Sequence, residues 1–144
     1  MSSFEKVVWV SVGQEPDIRE LQESIHGQMA GEAIPSSATT PELVQKALHD
    51  AAKNSKLLLV LDDVWDPKQE KPLNCIDPDN ASKLLVTTRI RGLLKNAAEV
   101  EVGVLSQTEA LALLLSSAET DADDLEDGSD EHRFATEIVE LCGR

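Results

Sequence analysis

The chain has 144 residues, 41% of them hydrophobic, a net charge of −14, and only 3% aromatic residues with no tyrosine. That length is one ordinary domain or part of a larger one, with a core that must rest on Leu, Val, Ile and Ala. The strong negative charge excludes a general binder of nucleic acid or of anionic membranes, because phosphates would be repelled and the densest basic cluster is only Arg89, Arg91 and Lys95.

VVWVSV, residues 7 to 12, is short, apolar and β-branched, and Gly13 and Pro16 punctuate its end, so it predicts a buried strand. After Asp17, the residues Ile18, Leu21, Ile25 and Met29 recur at helical spacing and predict a helix to about Ala30. GEAIPSSA is a loop by composition. Thr40 followed by Pro41 marks a helix start, with Thr as N-cap and Pro at the first helical position. Leu43, Val44, Ala47, Leu48 and Ala51 then share one apolar face. KLLLVLDDVWD, residues 56 to 66, reads as a fully buried strand that ends in two adjacent carboxylates.

A Pro- and Asn-rich connection runs from there through Asn80. SKLLVTTRI, residues 82 to 90, predicts a second buried strand ending in Thr87, Thr88 and Arg89, with a short helix over 92–98. EVEVGVL, residues 99 to 105, alternates like a strand. Ser106 and Glu109 form a capping box, and the helix they start is apolar nearly all round, which implies burial between other elements. Residues 119–131 are acidic without compensating cations and predict a solvated loop. An EF-hand register with Gly128 at its sixth position fails, since Leu125 and Phe134 would have to be oxygen ligands. A last helix carries Phe134, Ala135, Ile138, Val139 and Leu141 on its apolar side.

This order predicts an α/β layer with a largely parallel sheet covered on both faces, its last two helices belonging to another packing unit. Cys75 and Cys142 have neither C-x-x-C nor Cys/His ligand spacing, which argues against a disulfide scaffold or a zinc site. His26, His49 and His132 lie singly and are expected to be surface helix residues. No signal peptide is evident, no apolar run approaches the roughly 18 residues of a membrane helix, and a soluble cytoplasmic protein is expected.

Ligands of parallel α/β sheets collect beyond the carboxyl ends of the strands, where Asp62 and Asp63 stand at one end and Thr87, Thr88 and Arg89 at the next. Carboxylates suit Mg²⁺, which takes one or two protein acids plus phosphate oxygens and water. An arginine beside them suits phosphate. The alternative is plainer: two acids after a strand can be the polar exit from a core, and Thr-Thr-Arg a strand end. None of the seven glycines precedes lysine, so the chain lacks the phosphate-cradling G-x-x-x-x-G-K-S/T loop, and G-x-G-x-x-G is absent too. There is no Ser-His-Asp or Cys-His constellation.

Several ordered stretches resemble the NB-ARC nucleotide-binding module of plant-type NLR disease-resistance proteins, signal-transduction ATPases of the P-loop NTPase class. VVWVSVGQEPDIRELQESI resembles the family's W-V-x-V segment, and LLLVLDDVWD its Walker B ("kinase 2") motif. SKLLVTTRI is similar to G-S-K-I-L-V-T-T-R, with Ala81 where Gly is usual. VGVLSQTEALALLLSSA resembles the segment entering the helical ARC1 subdomain, and EIVELCGR the approach to the "GLPL" motif.

The resemblance implies an incomplete P-loop NTPase-like sheet over 1–104 and the first ARC1 helices over 105–144, with the Walker A loop and the "MHD" region outside this chain. It implies that Asp62 helps hold Mg²⁺, that Asp63 orients the attacking water, and that Arg89 with Thr88 meets the terminal phosphate of ADP or ATP. In the family these parts run a slow ATPase switch between closed and open states, with other NLR domains or proteins as partners. For this chain, weak or no nucleotide binding by itself is expected. The competing readings are a nucleotide-independent fragment that pairs with intact NLR relatives, and a stand-alone Mg²⁺-dependent hydrolase using Asp62 and Asp63.

Overall fold

The computed structural model describes residues 4–53, 55–120 and 129–143. The chain divides into two compact units, Met1–Ala97 and Ala98–Arg144.

In the first unit, strand β1 (Lys6–Gly13) leads to helix α1 (Ile18–Ala30), helix α2 (Pro41–Ala52), strand β2 (Leu57–Val64), helix α3 (Pro67–Leu73), a 3-10 turn (Pro78–Asn80) and strand β3 (Lys83–Val86). The three strands form one parallel sheet in the order β1-β2-β3. Val8, Leu59 and Leu84 lie side by side across it, as do Val10, Leu61 and Val86. These rows face the helices. Ile25 and Met29 of α1, Leu48 and Ala52 of α2, and Leu73 of α3 complete one core with them. Truncating a fully buried member such as Leu48 to Ala should cost about 2–5 kcal/mol.

Among the described residues of this unit, helices cover one face of the sheet, and on the other face Val60 of the central strand is buried between its neighbours Trp9 and Leu85. Strand residues alternate between faces, and the row opposite the core leaves Val7 61%, Trp9 53% and Leu85 48% exposed. α1, α2 and α3 all serve the other side.

Local chemistry places the helix ends. The Asp17 carboxylate accepts the Glu20 N–H at 3.0 Å at the start of α1, and Gly31, at φ 75°, ends it by donating to Gly27 O at 2.8 Å. Thr40 caps α2 as the sequence predicts. The connection over 66–80 contains α3, which the sequence reading did not anticipate. Asp66 is its N-cap, Pro67 its first residue, and Gln69 closes a capping box. Its seven residues are too few to show an apolar period.

β3 is shorter than the predicted 82–90, ending at Val86, although Thr87 still donates its N–H to Leu61 O at 3.0 Å. The helix expected over 92–98 is a set of turns, with Gly92 at φ 65°. Residues 99–105 form no strand, and Val100, Val102 and Val104 are 84%, 91% and 83% exposed. Alternation makes a strand only where a neighbouring strand pairs with it, and among the described residues the sheet consists of β1, β2 and β3 alone. His26 is buried rather than on the surface, with Nδ1 2.9 Å from Glu32 O.

The second unit contains helix α4 (Gln107–Ser117), started by the Ser106–Glu109 capping box, and helix α5 (Asp130–Cys142), capped by Ser129. They meet through Leu115, Ala135 and Val139, the buried residues of this pair. α4 is not buried all round: Leu113 is 58% exposed, because one neighbouring helix can cover only one stripe. Most of the acidic segment, 121–128, lies outside the described residues.

Candidate functional site

The predicted acids stand at the carboxyl end of β2, and the geometry there is irregular in a specific way. In an unbroken parallel ladder, Thr87 would donate to Leu61 O and accept from Asp63 N. The first bond is present, at 3.0 Å. Thr87 O instead accepts from Val64 N at 2.9 Å, while Asp63 N donates to the Thr87 hydroxyl at 2.9 Å. Two residues of β2 thus face one residue beyond β3, which is a β-bulge. Asp63 sits in the left-handed region, at φ 57°, a conformation Asp tolerates better than most side chains.

The bulge separates the roles of two carboxylates that a regular strand would send to opposite faces. Asp62, beside Ser11 of β1, receives the Thr87 hydroxyl proton on Oδ1 at 2.6 Å. Asp63 is turned toward Arg89, whose Nε lies 3.8 Å from Asp63 Oδ1. Both partners are solvent-exposed, so this ion pair is worth at most about 1 kcal/mol. The Arg89 guanidinium carbon also lies 5.8 Å from the centre of the Trp65 ring.

Thr88 is occupied differently. Its hydroxyl donates to Val64 O at 2.7 Å and accepts from Ile90 N at 3.1 Å, which shapes the turn carrying Arg89. With its proton given to the backbone, that hydroxyl has none to offer a phosphate oxygen in this arrangement.

Gln69, absent from the predicted site, ties its floor together. Its Oε1 accepts from Trp65 N at 2.9 Å and Asp66 N at 3.2 Å, and its Nε2 donates to Gly13 O at 3.2 Å and Gln14 O at 3.3 Å. One buried amide therefore joins the carboxyl ends of β1 and β2. The sequence signal was D-P-x-Q, an N-cap, a Pro at the first helical position and a capping-box Gln. Thr87 was visible as part of Thr-Thr-Arg, but its grip on both acids was not.

Among the described residues, no three His, Cys, Asp or Glu side chains converge. The protein therefore offers one or two carboxylates, which fits Mg²⁺ completed by phosphate and water rather than a closed zinc or calcium cage. Asp62 is engaged by Thr87 through Oδ1. Cys75 is no candidate nucleophile: burial pushes its thiol up to about 11.

Parallel strands with acids and an arginine gathered at their carboxyl ends, flanked by helices, define an incomplete α/β unit of the P-loop NTPase type. The chain belongs to the NB-ARC family, since residues 1–124 match the NB-ARC domain. NB-ARC domains are nucleotide-binding domains. Over 90 residues the chain is 28% identical to "Disease resistance protein RPS5" of Arabidopsis thaliana, covering 61% of this chain and 10% of that protein. Over 123 residues it is 28% identical to "Disease resistance protein RGA2" of Solanum bulbocastanum, covering 80% of this chain and 12% of that protein. A third relative, "Probable disease resistance protein At5g43730" of Arabidopsis thaliana, is 26% identical over 117 residues, 78% of this chain and 14% of that protein. The chain thus spans between a tenth and a seventh of the length of these relatives. Among the described residues, no helix is long and apolar enough to cross a membrane.

Proposed function

We propose that this chain is the metal- and phosphate-reading part of an NB-ARC switch in plant defence signalling, with ADP or ATP and Mg²⁺ as its ligands. The observation that carries the reading is the bulge, through which Thr87 gathers Asp62 and Asp63 beside Arg89. In this reading Asp62 holds Mg²⁺ mostly through water, and Asp63 orients the attacking water. Arg89 touches the terminal phosphate, on a turn that Thr88 shapes. Residues 105–144 supply the first helices of ARC1. Nucleotide acts by unequal affinity for a closed and an open state, with other NLR domains or proteins as partners in the cytoplasm.

The chain's own sequence contains no glycine-rich, lysine-bearing loop to grip phosphates, so it should bind nucleotide weakly by itself. Isothermal titration with Mg-ADP should give a dissociation constant in the millimolar range, about −4 kcal/mol. Tight binding that Asp62→Ala abolishes would contradict the weak-affinity reading.

A second reading is favoured by the exposed sheet face of Val7, Trp9 and Leu85 and by β3, which among the described residues pairs on one side only. Such a surface suits nucleotide-independent association with intact NLR relatives. A pull-down against full-length relatives tests it, and no capture at micromolar concentration would rule it out.

A further inference from the structure

The ion pair with Asp63 is a weak tether for Arg89. Its Nε–Oδ1 separation is 3.8 Å and the arginine side chain is 78% exposed, so the attraction is screened by water and salt. The second contact is the indole of Trp65, with 5.8 Å from guanidinium carbon to ring centre, inside the roughly 6 Å reach of a cation–π interaction.

Trp65 is a costly choice for this place. Its Nε1 is buried and has no hydrogen-bond partner among the described residues, whereas a buried indole N–H ordinarily finds one. Phe would occupy much of the same space without stranding a donor. What indole adds is the strongest aromatic face for a cation, and the cation present is Arg89. Trp65 is also fixed from behind. Its backbone N–H donates to Gln69 Oε1 at 2.9 Å, and the same amide is anchored on Gly13 O and Gln14 O.

We propose that Trp65 is a positioning residue for Arg89: its ring holds the guanidinium over the carboxyl end of β2, and Gln69 sets the ring. The functional consequence rests on reading Arg89 as the phosphate contact. The placement itself can be measured without nucleotide.

The test is NMR of the isotope-labelled full chain, following the Arg89 Hδ and Nε–Hε signals, which are identified by their change in Arg89→Lys. Ring current from Trp65 should move these signals upfield. Trp65→Leu should abolish that shift and Trp65→Phe should reduce it. Trp65→Phe should also melt no lower than wild type, since the stranded donor is gone. A role in packing alone predicts the opposite pair, a lower melting temperature with Arg89 signals unmoved. Signals that keep their wild-type positions in Trp65→Phe overturn the inference, even if Trp65→Leu fails to fold. Adding Mg²⁺ and ADP at millimolar concentration separates the two claims. Arg89 signals that follow Trp65 but ignore ADP uphold the positioning and refute the phosphate contact. Signals that follow ADP but ignore Trp65 do the reverse.

Discussion

The hydroxyl of Thr87 stands 2.6 Å from Oδ1 of Asp62, and the same oxygen accepts the backbone N–H of Asp63 at 2.9 Å. One side chain therefore orients one acid and the backbone that presents the other. It acts as donor to a carboxylate and acceptor from an amide through a single oxygen, as a hydroxyl can.

Thr87→Val keeps the shape and removes both bonds. Because the site is exposed, water can replace part of what is lost, so the expected destabilisation is about 1 kcal/mol. Amide exchange at Asp63 should quicken, while Thr87→Ser should restore both stability and protection. Urea unfolding together with hydrogen exchange checks this. An Asp63 amide equally protected in Thr87→Val would show that the bulge does not depend on the hydroxyl.

The parts of the fold that were legible in the sequence rest on local chemistry. Thr40-Pro41 and Ser106 with Glu109 mark helix starts because a cap is formed by residues three positions apart. Leu57 to Leu61 reads as a buried strand because the run is continuous. The features that escaped depend on distant partners or on short lengths. Val100, Val102 and Val104 alternate as a strand would, but alternation says which face could be buried, not that a neighbour exists to bury it. His26 looks like a surface residue until the 31–39 loop folds over it. The bulge at Asp63 is set by Thr87, 24 residues further along the chain, and the approach of Arg89 to Trp65 spans the same distance.

Ala81 shows the same lesson at one residue. It occupies the position where the family's motif usually has Gly, and it adopts φ 60°, ψ 17° at the end of the 3-10 turn. A non-glycine residue in that region is strained by about 1–2 kcal/mol. Glycine would relieve the strain but lose more freedom on folding, by about 0.4–1 kcal/mol. The Ala81 side chain is exposed, so little packing is lost. Ala81→Gly should therefore stabilise the first unit by about 0.5–1 kcal/mol, read as a higher urea midpoint at unchanged slope. A lower midpoint would mean that the turn is not strained in solution.

The Ser106–Glu109 box gives a pH dependence with a definite sign. The Ser106 hydroxyl, then its backbone N–H, donates to the Glu109 carboxylate and holds its pKa below the ordinary 4.5. A depressed folded pKa means that the ionised form is the one the fold favours. The contribution is present above the unfolded pKa and is lost as pH falls through the folded one. Protection of the first-turn amides of α4 should therefore decline on acidification below about pH 4.5. In Glu109→Gln that decline should disappear, because the amide can still accept from Ser106 at any pH. An identical acid response in both chains would place the titrating group elsewhere.

Gln28 guards the outer edge of β1, one of the two edges of the sheet among the described residues. Its side-chain amide accepts from Trp9 N at 2.9 Å and donates to Trp9 O at 2.9 Å, as a neighbouring strand would. β1 pairs with β2 on its other side, so these two groups belong to the outer edge, next to the exposed Val7 and Trp9. An open edge beside an apolar face is a template for pairing with a second chain. In Gln28→Ala, water can satisfy the released groups, so stability should fall by no more than about 1 kcal/mol. Self-association should rise more clearly, as a concentration-dependent increase in sedimentation coefficient and faster exchange of the Trp9 amide in the dilute monomer. Gln28→Glu should fall between the two, since a carboxylate can accept from Trp9 N but repels Trp9 O. A Gln28→Ala chain that stays monomeric to high concentration would mean that the twist of β1 or the charge of −14 protects the edge instead.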